Sequence, residues 1–190
     1  MDLSAVLPLT TERLRLRLFS PGDADDAYDY QRLEEVARYL YRPPRTRERC
    51  EEVIAEIAKA TAWAKDGDTL TLAVCGHGEP GAGEPAVVGE VRLTLADARA
   101  RQAEIGWLLN PRFQGRGYAS EAAHALAALA FDTLGVHRVY ARLDVQNTAS
   151  VRVCERLGMR REAHLVENDL DGERWGSEYV YAALAADLRR

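Results

Sequence analysis

The sequence predicts an α+β fold, in which one domain has a mixed, mostly antiparallel sheet of about seven strands flanked by helices. Short runs that alternate between apolar and polar residues indicate half-buried strands. The predicted elements follow the order β-α-α-α-β-β-β-α-β-α-β-β, which contains hairpins and one clear β-α-β step. With 190 residues, 47% of them hydrophobic and 29% charged, the chain is long enough to bury one substantial core.

The first third of the chain is predicted to combine one strand with three helices. Residues 12–19, ERLRLRLF, alternate between leucine and arginine, as a half-buried strand requires. Two short helices are predicted over about 24–33 and 34–41, and the pair Pro43-Pro44 ends the second. Thr46 is the predicted N-cap of a longer helix, whose apolar side consists of Val53, Ile54, Ile57 and Ala60.

Strands and helices alternate in the rest of the chain. A long alanine-rich helix is predicted over about 119–134, and a shorter one over 147–157 that Gly158 ends. Residues 76–86, GHGEPGAGEPA, are rich in Gly and Pro and predict a mobile hairpin tip between two pairable strands. The predicted strands are 69–75, 87–95, 103–109, 137–145 and a closing pair, 159–167 and 174–184, joined through the Asp-Gly turn of NDLDGE.

Charge and cysteine content restrict the classes of function. The 25 Lys and Arg against 30 Asp and Glu give a net charge of −5, which argues against a nucleic-acid-binding protein and suits a cationic partner. Cys50, Cys75 and Cys154 have no metal-like spacing, which predicts reduced thiols in a cytoplasmic protein. We see no signal-peptide pattern at the start, and no apolar run reaches membrane-spanning length.

The stretch QGRGYA, residues 114–119, stands directly before the long predicted helix. Gly115 and Gly117 permit backbone angles that other residues avoid, and a helix start presents unpaired N–H groups with partial positive charge. The combination predicts a cradle for an anion such as a phosphate, although a flexible turn is the simpler interpretation of the two glycines alone.

Two common phosphate loops fit this stretch poorly. A P-loop requires a Gly-Lys pair, which the sequence lacks. A dinucleotide loop would make the protein a nicotinamide oxidoreductase, and Gly115, Gly117 and Ser120 come close to its pattern. However, residues 110–114 separate these glycines from the strand, and Asp144 lies further along the chain than the acidic residue of that motif.

The stretch resembles a third loop, the pyrophosphate-binding loop of the Gcn5-related N-acetyltransferase (GNAT) superfamily, whose pattern is Gln/Arg-x-x-Gly-x-Gly/Ala. Gln114, Gly117 and Ala119 match that pattern. AEIGWLLNPRFQGRGYASEA resembles the strand-loop-helix core of the ribosomal-protein N-terminal acetyltransferase branch, and DVQNTASVRVCERLGM resembles its second signature. TERLRLR and WGSEYVYAAL also fit, so the resemblance covers nearly the whole chain and implies one acetyltransferase domain over residues 1–190.

The resemblance implies an acetyl-CoA-dependent N-acetyltransferase that acetylates a primary amine by direct attack in a ternary complex. It also implies splayed central strands, with the pantetheine arm of coenzyme A between them and the pyrophosphate at the helix start. No metal is expected, because the four histidines are scattered along the chain. The cofactor-binding residues implied are Trp107, Leu108, Leu109, Gln114, Gly115, Arg116, Gly117, Tyr118, Ala119, Ser120, Asn147 and Ser150.

Such an enzyme needs a base for the amine and an acid for the departing thiolate. Glu104, at the start of the strand that leads to the thioester, is the candidate base, acting through water. A solvated strand-end carboxylate is the alternative interpretation of Glu104, and Glu162 and Glu167 are weaker candidate bases. Ser150 is the candidate acid by resemblance, although Asn147 could simply cap a helix whose first turn includes that serine.

Three further residues bear on this chemistry. Tyr140 is a second candidate acid, because a phenol with a pKa of about 10 suits protonation of a thiolate. Cys154 is interpreted as a small buried residue and not a nucleophile, since no histidine is locally paired with it. Ser177 stands where relatives often have Asp after the Trp of the last strand; if that Asp helps to select the substrate, we expect a different selection here.

The sequence leaves the acceptor open between a protein N-terminus and a small cationic amine. Acidic residues slightly favour a cationic amine, although a solvated helix face and a polar turn explain most of them. An alternative function is a non-catalytic acyl-CoA-binding sensor or interaction module with the same fold. We expect no nucleic-acid or membrane partner and leave a homodimer open. The acidic residues are Asp23, Asp25, Asp26, Asp29, Glu34, Glu35, Asp169, Asp171 and Glu173.

Overall fold

The computed structural model describes residues 3–77, 86–171 and 174–188. Within these ranges the strands are β1 (Leu9–Thr10), β2 (Leu14–Leu18), β3 (Thr69–Gly76), β4 (Val87–Asp97), β5 (Gln102–Leu109), β6 (Arg138–Asp144), β7 (Arg160–Asp171) and β8 (Arg174–Leu184). The α-helices are α1 (Ala24–Gln31), α2 (Glu34–Ala37), α3 (Arg47–Ile57), α4 (Tyr118–Asp132) and α5 (Thr148–Arg156).

The eight described strands form one sheet in the order β1-β2-β3-β4-β5-β6-β8-β7. Every neighbouring pair is antiparallel except β5 and β6, which are parallel because α4 connects them as a crossover helix. The predicted mixed, mostly antiparallel sheet is therefore confirmed, with eight strands in place of about seven. The additional strand is β1, whose two residues are too short to show any alternation.

Side chains of β3 are buried on both faces of the sheet, which explains the nearly continuous apolar sequence of this strand. Leu70, Leu72 and Val74 belong to the core beneath α4, whereas Ala73 and Cys75 pack on the opposite side. The first core includes Leu126 and Ala130 of α4, and the second includes Tyr30 of α1 with Cys50 and Ile54 of α3. Helices thus cover the two faces of a central sheet.

Helix caps follow the local sequence. Thr46 Oγ1 accepts a hydrogen bond from the backbone N–H of Arg49 at 3.2 Å, so the predicted N-cap of α3 is confirmed. The predicted helix over 34–41 extends too far, because α2 ends at Ala37 and Tyr41 has a φ of +49°. Residues 38–42 form turns that lead into the Pro43-Pro44 pair.

The central strands separate at their carboxyl ends. Strand β5 pairs with β6 at Gln102, Ala103 and Glu104, and the pairing stops there. Beyond that point β5 continues against β4 as far as the Gly89–Leu109 pair, while β6 continues against β8. Both strands thus keep one neighbour each, and a gap opens between them.

Gly89 lets β4 approach β5 closely beside this gap. A Cβ atom at Gly89 would lie 2.4 Å from the carbonyl oxygen of Leu108 and 2.4 Å from a side-chain carbon of Leu109. Any other residue would push the end of β5 aside, because protein interiors have no space for such an overlap. Gly89 therefore helps to place the Leu108–Leu109 backbone at the gap.

Two predicted turns lie largely outside the described residues. These are the Gly- and Pro-rich hairpin tip, of which residues 78–85 are not described, and the Asp-Gly turn at residues 171–172. In the described parts of the chain, no helix combines the length and apolarity needed to cross a bilayer.

Candidate active site

Two cavities meet at the gap between β5 and β6. The larger cavity, about 460 Å³, opens toward the amino-terminal ends of α4 and α5, and we call it the cofactor-side cavity. The smaller cavity, about 300 Å³, lies on the sheet face that carries Glu90, Glu104 and Arg142, and we call it the acceptor-side cavity. Both cavities are lined by Tyr39, Leu40, Trp107, Leu108, Asn147 and Ser150. These shared residues form the junction through which the cavities communicate.

The predicted cofactor-binding residues come together around the larger cavity, with one exception. Arg116 does not line it; its guanidinium lies 5.5 Å from the ring centroid of Phe113 and 3.4 Å from the carbonyl oxygen of Arg112. The predicted residues that line the cavity are Trp107, Leu108, Leu109, Gln114, Gly115, Gly117, Tyr118, Ala119, Ser120, Asn147 and Ser150.

The loop before α4 owes its shape to its two glycines. Gly115 has a φ of +75° and Gly117 a φ of +82°, both in the left-handed region that other residues avoid. Gly117 is the N-cap of α4, a helix of 15 residues, so the free N–H groups of its first turn face this loop. The side-chain amide of Gln114 donates to the carbonyl oxygen of Leu109 at 3.2 Å and ties the loop to the end of β5.

Positive charge surrounds the start of α4. Arg152 and Arg156 of α5 line the cofactor-side cavity, and Arg156 reaches the hydroxyl of Ser120 at 3.5 Å. Together with the helix dipole, these guanidinium groups favour an anion at the loop. The sequence analysis missed both arginines, since their approach to the loop depends on how α5 packs beside α4.

Glu121 in the first turn of α4 anchors the loop to the start of the chain. Its carboxylate accepts hydrogen bonds from the Thr11 hydroxyl at 2.6 Å, from the Arg13 backbone N–H at 2.9 Å and from Arg13 Nε at 2.7 Å. Arg13 also donates to the carbonyl oxygen of Arg116 at 2.9 Å. Burial alone would raise the pKa of Glu121, but the hydrogen bonds from Thr11 and Arg13 outweigh it and lower that pKa.

A tryptophan and a serine meet at the junction of the two cavities. The indole Nε1–H of Trp107 donates to the hydroxyl oxygen of Ser150 at 3.1 Å. The backbone N–H of Ser150 donates to Oδ1 of Asn147 at 3.1 Å, so Asn147 is the N-cap of α5. Because the Ser150 oxygen accepts from Trp107, its own proton stays free to be donated elsewhere. A half-buried indole N–H needs an acceptor, but the sequence did not show which residue supplies it.

Glu104 lines the acceptor-side cavity, at the last position of β5 that pairs with β6. Its register partner is Tyr140. Burial, followed by the nearby carboxylate of Glu104, raises the pKa of Tyr140, which makes the phenol a weaker acid. Tyr140 does not line either cavity, whereas Ser150 lines both.

A second carboxylate, Glu90 of β4, lines the acceptor-side cavity and was not singled out by the sequence analysis. It accepts hydrogen bonds from the Tyr30 hydroxyl at 3.1 Å and from the Gln31 side-chain amide at 2.8 Å. Burial raises the pKa of Glu90, and this effect exceeds the opposing influence of nearby arginines and of Tyr30. The available signal was one carboxylate within the apolar run VVGEVRLTL.

The weaker candidate bases lie elsewhere. Glu162 forms ion pairs with Arg138 at 2.6 Å and Arg160 at 2.7 Å, and neither Glu162 nor Glu167 lines the two cavities.

Cys154 is fully buried, and burial raises the pKa of its thiol to about 12, as expected for an inert residue. No group of three or more His, Cys, Asp and Glu side chains suited to a metal occurs in the described parts of the chain.

Comparisons with known proteins agree on one family. A model described as the acetyltransferase (GNAT) domain matches residues 13–160. The uncharacterized N-acetyltransferase YnaD of Bacillus subtilis (strain 168) is 31% identical over 176 residues, which cover 93% of this chain and 96% of that protein.

Solved structures confirm the predicted fold class. A GNAT-family acetyltransferase from Bacillus anthracis has a TM-score of 0.82 at 30% identity, covering 94% of this chain and 98% of that one. A spermidine N-acetyltransferase from Vibrio cholerae, in complex with CoA and spermine, has a TM-score of 0.77 at 21% identity. It covers 93% of this chain and 98% of that one, and at this identity the likeness concerns the fold alone.

The anchoring role of Glu121 predicts a specific pH dependence of stability. The pKa of Glu121 is lower in the folded protein than in the unfolded chain, where it is about 4.3. Its ionisation therefore stabilises the fold above about pH 4.3, and this contribution is lost as the pH falls through the folded pKa. We expect Glu121→Gln to lower the free energy of unfolding by about 1.5–3 kcal/mol at neutral pH, and by less near pH 3.

Urea unfolding of wild type and variant between pH 3 and pH 7 measures this difference. Glu51→Gln, which alters an exposed carboxylate of α3, is the matched control and should leave stability nearly unchanged at every pH. A Glu121→Gln variant as stable as the wild type at neutral pH would contradict the anchoring role.

Proposed function

Since this chain belongs to the acetyltransferase (GNAT) family, we propose that it transfers an acetyl group from acetyl-CoA to a primary amine by direct attack in a ternary complex. The observation that carries this proposal is the meeting of two differently built cavities at one junction. One has a helix start and arginines suited to an anion, and the other has carboxylates suited to accepting a proton.

The residues around the cofactor-side cavity fit coenzyme A. The first turn of α4, shaped by Gly115 and Gly117, would hold the pyrophosphate, and Arg152 and Arg156 would add positive charge. The backbone of β5 from Trp107 to Leu109 has no strand partner on the β6 side, so its polar groups are available to the pantetheine arm. A backbone N–H there would also polarise the thioester carbonyl.

When bound, acetyl-CoA supplies a thioester whose carbonyl carbon forms a bond to the amine nitrogen while its carbon–sulfur bond breaks. The protein then has two proton-transfer tasks. A base accepts the proton that the amine loses, and an acid donates a proton to the sulfur that leaves.

Ser150 is the proposed acid. Its hydroxyl stands at the junction of the cavities, where the thioester would lie, and the indole of Trp107 orients it by donating to its oxygen. Tyr140 is the second candidate, but its raised pKa beside Glu104 and its position outside both cavities favour Ser150.

Glu104 is the proposed base, and Glu90 is its competitor. Both carboxylates line the acceptor-side cavity. Glu104 belongs to β5, the strand that continues to Trp107 and the proposed thioester position, whereas Glu90 already accepts hydrogen bonds from Tyr30 and Gln31. An acceptor amine between Glu104 and Ser150 would lose its proton to Glu104 and would attack the thioester carbonyl carbon on the side of Ser150.

The broader setting follows from the same observations. We propose that residues 1–190 act as one catalytic unit, as a monomer or homodimer. Because Cys50, Cys75 and Cys154 are buried and form no disulfide, we place this unit in the cytoplasm. The motif resemblance to ribosomal-protein N-terminal acetyltransferases makes a protein N-terminus a candidate acceptor. A spermidine N-acetyltransferase of Vibrio cholerae, 31% identical over 43% of this chain, makes a small cationic amine another.

Calorimetric titration with acetyl-CoA tests the proposed function directly. The wild-type protein should bind acetyl-CoA, and Gly117→Val should weaken binding at least about tenfold, because valine does not tolerate the φ of +82°. Gly67→Val is the matched control, since Gly67 has a φ of +87° but does not line the cofactor-side cavity. It should cost stability without changing affinity. Failure of the wild type to bind millimolar acetyl-CoA would overturn the proposal, and binding without CoA release on a broad amine panel would support a non-catalytic module.

Replacement of Ser150 by alanine tests the proposed acid. A well-placed donor contributes about 2.7–4 kcal/mol to the transition state, so kcat should fall by about two to three orders of magnitude. The affinity for acetyl-CoA should stay nearly constant, because the reaction requires the hydroxyl only when the thiolate leaves. Thr148→Ala, which removes an exposed hydroxyl from the same helix turn, should change neither quantity. Loss of affinity without loss of kcat would make Ser150 a cofactor ligand.

The two carboxylates of the acceptor-side cavity can be separated by pH–rate profiles. Glu104→Gln should lower kcat/KM by about a hundredfold or more and change the acidic limb of the profile, because the variant lacks the proton acceptor. Glu90→Gln should keep the shape of that limb. The reverse result would assign the base to Glu90, and two unchanged profiles would leave water as the proton acceptor.

A further inference from the structure

The acceptor-side cavity has an unusual set of charges for a protein whose net charge is −5. Four arginines line it, against the two carboxylates of Glu90 and Glu104. The arginines come from three separate parts of the chain, and only the fold brings them together: Arg42 and Arg45 after α2, Arg92 of β4 and Arg142 of β6.

Three of these arginines have no carboxylate partner within the described residues. Arg142 forms an ion pair with Glu178, whereas Arg42, Arg45 and Arg92 form no ion pair with any described carboxylate. Arg42 donates only to neutral oxygens, to the Pro43 carbonyl at 3.1 Å and to the Gln31 side chain at 3.4 Å. Among the described residues that line this cavity, arginines thus outnumber carboxylates, and positive charge is in excess.

Burial makes this arrangement costly without a ligand. Arg42 and Arg45 are half-buried, whereas Arg92 is exposed. Burial lowers the pKa of Arg42, and the neighbouring charge of Arg45 lowers it further. Glu90 lies close enough for its pKa to respond to Arg45, Arg92 and Arg42, but the lining of the cavity contains four guanidinium groups and two carboxylates. An anion between them would relieve the repulsion and form charge-assisted hydrogen bonds.

We propose that Arg42, Arg45 and Arg92 bind an anionic group of the acceptor, so that the substrate is a small amine that also carries a carboxylate or a phosphate-type group. This inference rests on the proposed acetyl transfer and narrows its acceptor. The anionic group would lie among the arginines, and the amine would point toward Glu104 and the junction at Ser150. The cavity of about 300 Å³ suits a small molecule.

Three of the acidic residues that suggested a cationic acceptor are placed elsewhere. Asp23 is paired with Arg17 at 2.7 Å, Asp25 is paired with Arg47, and Asp26 accepts from the backbone N–H of Val87 at 2.8 Å. These carboxylates serve the structure of the helical segment and do not line the acceptor-side cavity. A polyamine would instead bring further positive charge next to the arginines.

Matched acceptors test the proposal through release of CoA. β-Alanine carries a carboxylate and 2-aminoethylphosphonate carries a phosphonate. In β-alaninamide and in the diethyl ester of 2-aminoethylphosphonate, an uncharged group replaces that anion. Spermidine is the acceptor with additional positive charge. We expect kcat/KM for the anionic amines to exceed that for the neutral and cationic ones at least about tenfold. The double variant Arg42→Gln/Arg45→Gln should remove this preference, mainly through KM, and keep the affinity for acetyl-CoA. Arg38→Gln, in the same segment but outside the cavity, should behave as wild type.

The outcomes separate this inference from the proposed function. If acetyl-CoA neither binds nor yields CoA with any amine, the proposed function fails. If CoA is released and spermidine, a neutral amine or an acidic peptide is the preferred acceptor, only the inference is overturned. A double variant that loses affinity for acetyl-CoA would assign the arginines to the cofactor and also overturn it. If acetyl-CoA binds but no amine reacts, calorimetry with 2-aminoethylphosphonate and CoA-saturated protein decides, and absence of binding counts against the inference.

Discussion

The parallel pairing between β5 and β6 ends after Glu104 and Tyr140, and the functional architecture of the molecule depends on this early separation. Each strand retains its other neighbour, so the sheet tolerates the gap without losing either strand. The amino-terminal ends of α4 and α5 lie beside the gap and present polar groups to it. The two cavities, which share residues beside this gap, therefore meet there.

Positive charge is used differently on the two sides. At the cofactor-side cavity it comes from the start of α4 and from arginines of α5, an arrangement suited to phosphates. At the acceptor-side cavity it comes from arginines of three separate chain segments, next to the carboxylates of Glu90 and Glu104. Glu121 shows the contrasting case, since its carboxylate in the first turn of α4 is paired with Arg13 and accepts a hydrogen bond from the Thr11 hydroxyl.

The sequence was most informative where a function depends on residues that are close along the chain. The left-handed backbone of Gly115 and Gly117 before α4 could be predicted because backbone angles and helix ends are local properties. The N-cap of α3 at Thr46 was predicted for the same reason. The hydrogen bond between Trp107 and Ser150 could not be predicted, because 43 positions separate its partners and several other residues could have accepted from the indole.

By itself, the sequence determined the order and type of nearly all elements, the mixed sheet and the glycine-containing loop before α4, since alternation, glycine positions and helix signals act over a few residues. Only the tertiary structure decided where Arg42, Arg45, Arg92 and Glu90 lie, because their meeting depends on strand register and on the turn after α2. It also decided that Asp23 pairs with Arg17 and that Asp26 accepts from the Val87 backbone, whereas Glu35 lines the cofactor-side cavity. The sequence shows which charged side chains the chain contains, whereas packing determines which of them form ion pairs and which line a cavity.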